Sequence, residues 1–155
     1  MFWHMAIQMP LLLLTGWLIG LAYPESANIR VLQFFNYEGL SGMLLASFIL
    51  AYWMLPSAID QAVVRYDFDA FKVISLILCG LILQHFFLVS KPVVQLFFLG
   101  YSLSMLTWLG VYFATTELRL CNAYSLESQV LSGKALCALG ATFGLGWLWK
   151  VVTKR

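Results

Sequence analysis

Long uncharged apolar runs dominate the chain, separated by short polar intervals. Crossing the hydrocarbon core of a bilayer as a helix takes roughly 20 residues at about 1.5 Å rise each. Five runs reach or approach that length. The first extends from about Met5 to Tyr23, carries no charge and contains Pro10. A proline there removes one backbone donor and frees the Ala6 carbonyl, which predicts a kink. The second runs from about Glu38 to Leu55, just before Pro56, and the third from about Phe71 to Val89. Ser90-Lys91-Pro92 predicts a tight turn into the fourth, about Val93 to Thr116. The fifth, about Ala135 to Val152, is the shortest, and reaches full length if Lys150 snorkels to the interface.

Two of the intervals carry a pattern of their own. Ser57-Ala58-Ile59-Asp60 fits a capping box, in which serine and acid satisfy free amides at a helix start. Ile59, Ala62, Val63 and Tyr66 then recur at i, i+3, i+4 and i+7, one apolar stripe. This predicts a short helix on the membrane surface, or an extension of the second span. From Glu117 to Lys134 the chain carries Arg119, Cys121, Asn122, Tyr124, Glu127 and Gln129, its longest polar stretch and the expected contact surface for a soluble partner. No repeat or separate soluble domain interrupts the pattern. Residues 1–155 therefore read as a single domain, an all-α integral membrane bundle of about five transmembrane helices with a short interfacial helix.

Composition strengthens that reading, since 62% of the 155 residues are hydrophobic and 10% are charged. A soluble domain carries about 25% charge because its surface meets water. The net charge of +2, with no basic run, speaks against a nucleic-acid partner. Cys79, Cys121 and Cys137 form neither a CxxC pair nor a zinc spacing. The first basic residue, Arg30, follows the first apolar run, so that run reads as a retained helix rather than a cleaved signal. With five spans, Arg65, Lys72, Arg119 and Lys134 share the N-terminal face, against Arg30, Lys91, Lys150, Lys154 and Arg155 on the other. The compact C-terminal group favours a cytoplasmic C-terminus and an outside N-terminus.

The chemistry-bearing residues are few. Trp3-His4-Met5-Ala6-Ile7-Gln8-Met9 gathers imidazole and thioether, ligands that suit copper, and makes His4, Met5 and Met9 candidate metal ligands. Met54 and Cys121 fall on the same membrane face. The same residues also read as gap-filling methionines beside a histidine wetted by headgroups. His85 follows Gln84 inside the third span, about 14 residues and roughly 21 Å deep, whereas His4 lies about 5 Å from that face. That difference in depth excludes the two as axial ligands of one haem, and His85 reads as an interhelical hydrogen-bonding residue. Glu38 sits where a proton relay or an interfacial acceptor would, and Asp67 with Asp69 makes a sparse cation site. There is no nucleophile elbow, HExxH or glycine-rich phosphate loop, so an enzyme is not expected. Gly42/Ala46, Gly100/Ser104 and Gly140/Gly144 repeat a small-xxx-small spacing that lets helices approach closely, some of it expected to face outward toward neighbours.

The WHMAIQMPLLLL run, together with QLFFLGYSLSMLTWLGVY from Gln95 to Tyr112, resembles the helices of CtaG-type proteins, membrane factors of cytochrome c oxidase assembly and copper handling. The resemblance implies a link to copper or to a haem–copper oxidase. The expected function is a small non-catalytic subunit or assembly partner of a larger respiratory or copper-dependent complex. Its partners would be other subunits and the lipid bilayer, in a bacterial inner membrane. The alternative is a copper-binding or copper-transfer protein using the N-terminal cluster.

Overall fold

A computed structural model describes residues 3–22, 39–118, 120 and 125–153, with the side chains of residues 150–152 outside it. All regular structure among the described residues is helical. A π-helical segment, Trp3–Gln8, leads into α1, Met9–Ala22. Then come α2 (Leu40–Trp53), α3 (Pro56–Val64), α4 (Tyr66–Val89), α5 (Pro92–Thr115) and α6 (Leu126–Thr153). Four helices are long and apolar enough to cross a membrane: Trp3–Ala22, α4, α5 and α6. A fifth joins them if α2 and α3, bent by 70° at their junction, are taken as one span.

Local chemistry explains the breaks. Pro10 cannot donate to the Ala6 carbonyl, and its ring crowds that turn. A π-helical segment, with its widened turns, lies just before it. Gly39 begins α2 at φ 81, a left-handed conformation that glycine adopts without steric cost. Pro56 opens α3 at the first helical position, where its missing N–H would have had no partner anyway. This corrects the capping box: Leu55 is the cap residue, Ser57 lies inside the helix, and no side chain caps it. The predicted stripe also changes. Ala58, Ile59 and Ala62 are buried, while Val63 is exposed and Tyr66 is 94% exposed. Extended Arg65 (φ −121, ψ 121) ends α3 and redirects the chain, so Tyr66 starts a new helix.

Polar residues hid two helix starts. α4 begins at Tyr66, with Asp67 and Asp69 in its first turn, where carboxylates favour the positive end of the helix dipole. α6 begins at Leu126, well before the apolar run, with Glu127 in its first turn. Half of the polar stretch expected to meet a soluble partner is therefore helix, and Gln129 and Ser132 within it are buried. Arg119, Cys121, Asn122 and Tyr124 lie outside the described residues, as do Met1, Tyr23, Arg30, Glu38, Lys154 and Arg155.

The close approaches trace the path of the chain. His4 meets Lys72, and Gly16 and Gly20 lie against Gly80 and Gln84, so α1 and α4 run side by side in one direction. Gly39 lies against Ser90, Gly42 against Phe86, and Trp53 bonds to Ser75, so α2 runs the other way. Gly110 opposes Gly133 and Gly144 opposes Leu103, which makes α5 and α6 antiparallel. The chain thus passes along the bundle in α1, α2, α4, α5 and α6, with its first and last described residues at opposite ends. α2 is a short passage of 14 residues and about 21 Å, whereas α1 is lengthened by the π-helical segment before it. At the N-terminal end, Met5, Met9, Trp53, Ile59, Leu76, Phe113 and Leu136 form one buried cluster to which every element contributes. α3 lies across that end and closes it.

Two crossings bring backbone onto backbone. A Cβ on Gly16 would stand 2.1 Å from the Ile77 carbonyl oxygen, and one on Gly80 would stand 2.2 Å from that of Leu13. Gly110 and Gly133 do the same for α5 and α6, at 2.8 and 2.5 Å from each other's carbonyl oxygen. Neither pair was singled out by spacing in the sequence. Of the three motifs that were, Gly42/Ala46 faces α4 and Gly140/Gly144 faces Leu106, Thr107 and Leu103 of α5. Gly100 and Ser104 alone among them point outward, and nothing lies within 4 Å of a Cβ at Gly100.

Candidate functional site

The polar centre of the described bundle is built on Lys72, in the second turn of α4. Its side chain is 0% exposed. Burying an ammonium group in an apolar bundle is costly unless it is paired and hydrogen-bonded. The helix supplies the first partner: Asp69, three residues earlier on the same face, places Oδ1 2.5 Å from Lys72 Nζ. The π-helical segment supplies the second, with His4 Nε2 2.6 Å from Nζ. An ammonium group has three donors and no acceptor. His4 Nε2 therefore accepts, and the ring carries its proton on Nδ1.

A second layer ties this cluster to α2. Ser75 Oγ donates to the Lys72 carbonyl at 3.0 Å and accepts from Trp53 Nε1 at 2.8 Å. Trp53 is buried and its ring tilts against Phe71 at 5.8 Å. Two chain segments thus meet at the Lys72 charge, and a third is tied to its backbone through Ser75. The Asp69 side chain is 44% exposed, so the cluster opens at the N-terminal end of the bundle.

The predicted ligands go different ways. His4 turns to Lys72, whereas Met5 and Met9 are 1% and 3% exposed and pack into the apolar cluster with Trp53, Ile59 and Leu76. Met54 packs against the same cluster. Among the described residues, no three His, Cys, Asp or Glu side chains stand close enough to hold a metal ion. Asp67 and Asp69 do not act as a pair: Asp67 reaches Arg65 at 3.9 Å, while Asp69 serves Lys72. His85 lies half-buried near the far end of α4, edge-on to Phe86 at 4.9 Å, about 20 Å along the helix from Lys72. Gln84 is buried beside Gly20, where a Cβ would fall 2.8 Å from its Oε1.

Gln129 serves the fold from within. Its Nε2 donates to the Leu118 carbonyl at 3.2 Å and its Oε1 accepts from the Leu120 amide at 3.1 Å, pinning the segment that leads into α6. Sequence reasoning missed Lys72, which counts there as a loop charge although it stands one residue inside the run that begins at about Phe71. The available signal was the Asp69–Lys72 spacing, which suits a helix that starts before the apolar run. No family model, curated protein or solved structure matches the chain.

Proposed function

We propose that the chain is a small non-catalytic subunit or assembly partner of a larger membrane complex, the respiratory class being the one its N-terminal resemblance implies. The observation that carries this reading is the outward face of α5. Phe97 and Trp108, each about three-quarters exposed, flank Tyr101, Gly100 and Ser104 on one side of the helix. Lipid is as apolar as leucine, so helices associate in a bilayer through close packing, and a small-residue groove between large side chains admits a neighbouring backbone. The other flagged small-residue faces are already filled by this chain's own helices.

The test is Gly100→Ile, assayed by co-purification of the surrounding complex on native gels, with membrane insertion checked separately. Overpacking costs about 1–3 kcal/mol, roughly 5- to 150-fold in association. Insertion should be unchanged while the neighbour is lost. Full retention of the complex by this variant would remove the docking reading.

The bilayer is a bacterial inner membrane in this proposal, with the N-terminus outside and the C-terminus cytoplasmic. What supports the orientation is Lys72: withdrawn into the bundle and paired, it no longer counts as a loop charge. Three basic residues, Arg65, Arg119 and Lys134, then stand against five on the other face, including Lys150, Lys154 and Arg155. Single-cysteine variants at the two ends should be labelled from opposite sides of the membrane. Labelling of both from one side would show that α2 and α3 turn back without crossing.

A further inference from the structure

We infer that Lys72 is a built-in cation holding the position a metal ion would take at His4, so that the N-terminal His/Met cluster is closed to copper. A metal-binding imidazole offers the lone pair of an unprotonated ring nitrogen. At His4 that nitrogen is Nε2, and its lone pair is directed at the Lys72 ammonium 2.6 Å away. The other ring nitrogen carries the proton. A copper ion reaching Nε2 would have to displace an ammonium that Asp69 holds at 2.5 Å, or sit beside it as a second positive charge.

The thioethers do not converge on the same point. Met5 and Met9 are packed in the apolar cluster with Trp53, Ile59 and Leu76, while the His4 ring lies in the charged cluster. What does converge from two chain segments is the His4 nitrogen and the Asp69 carboxylate, both on Lys72 Nζ. Imidazole and carboxylate are both ligand types that a divalent metal such as zinc accepts, in sites that use three or four protein ligands. Here the cation is part of the chain. Removing it leaves two converging ligands and a space the size of the lysine head group, open at the bundle end through Asp69.

The experiment uses the full chain in lipid nanodiscs, with Cu(I) and Zn(II) as the probes. The wild type should bind neither stoichiometrically. Lys72→Ala should gain weak, saturable Zn(II) binding, since two protein ligands with water completing the shell fall short of the three or four that zinc sites use. Adding His4→Leu to that variant should abolish the uptake. The chain has two histidines, so selective 15N-histidine labelling resolves both rings, with His85→Gln making the assignment. In the wild type, the His4 Nε2 signal should be that of an unprotonated, hydrogen-bonded nitrogen and should not move when either metal is added. If Lys72→Ala fails to fold, this wild-type measurement decides alone. Stoichiometric copper on the wild type with a shifted His4 signal overturns the inference. So does a folded Lys72→Ala that gains no zinc, or a gain that survives His4→Leu.

Discussion

Replacing Gly16 with valine should drive α1 away from α4 and produce one of the largest stability losses of any single substitution in this chain. Even the first added carbon would stand 2.1 Å from the Ile77 carbonyl oxygen. That neighbour is backbone, so relief requires one helix to move relative to the other. Overpacking in well-packed interiors costs about 1–3 kcal/mol, and more where the backbone itself must yield. Gly80→Val should behave alike, since its Cβ would meet the Leu13 carbonyl oxygen at 2.2 Å. Gly146 is the control, with nothing within 4 Å of a Cβ. A surface substitution of that kind usually changes stability by about 0.5 kcal/mol or less. Unfolding in mixed micelles at graded SDS fractions measures all three. Equal losses at Gly16 and Gly146 would show that the α1–α4 crossing is not formed.

The second large effect is an asymmetry within the charged cluster. Asp69→Ala should be strongly destabilising and Lys72→Met nearly neutral, although both break the same ion pair. Without Asp69, the ammonium stays buried with a single neutral partner, His4, and an uncompensated buried charge costs about 3–5 kcal/mol. Without Lys72 the cluster holds no buried charge, and methionine fills the apolar space. Asp69, already 44% exposed, then turns to water. The same SDS titration measures both variants. If Lys72→Met proves the more damaging, the ammonium contributes through its bonds to His4 and Asp69 more than its burial costs.

These two predictions differ in how far the sequence announces them. Gly16 and Gly20 stand four apart in the first apolar run and could have been read as a packing face like the three that were. Yet spacing alone does not say which face meets a neighbour: Gly42 is buried against Phe86, while Gly100 meets nothing. Boundaries misled for a related reason. Hydropathy marks where side chains are apolar, but a helix continues as long as its backbone hydrogen bonds do. α4 and α6 therefore begin before the apolar runs, at Tyr66 and Leu126, with Asp67 and Asp69 in the first turn of one and Glu127 in that of the other. Proline acts locally through its missing N–H: Pro10 follows the π-helical turn, and Pro56 and Pro92 open helices, although the capping box puts the start of α3 one residue later, at Ser57.

By itself, the sequence determined that the chain is helical and that four of its helices, or five if the bent pair α2 and α3 counts as one, are long and apolar enough to cross a membrane. Run length, charge content and proline position are local properties that act the same in any arrangement of the helices. Only the tertiary structure decided what His4 does. Imidazole beside two methionines suits a metal, and nothing within ten residues of it contradicts that. Its partner lies 68 positions away, on a helix that runs parallel to α1 at the distance two glycines allow. Whether His4 faces a lysine, a metal or a headgroup depends on the direction and register of that crossing. Those are set by close backbone packing between segments far apart in the chain, which no local pattern records.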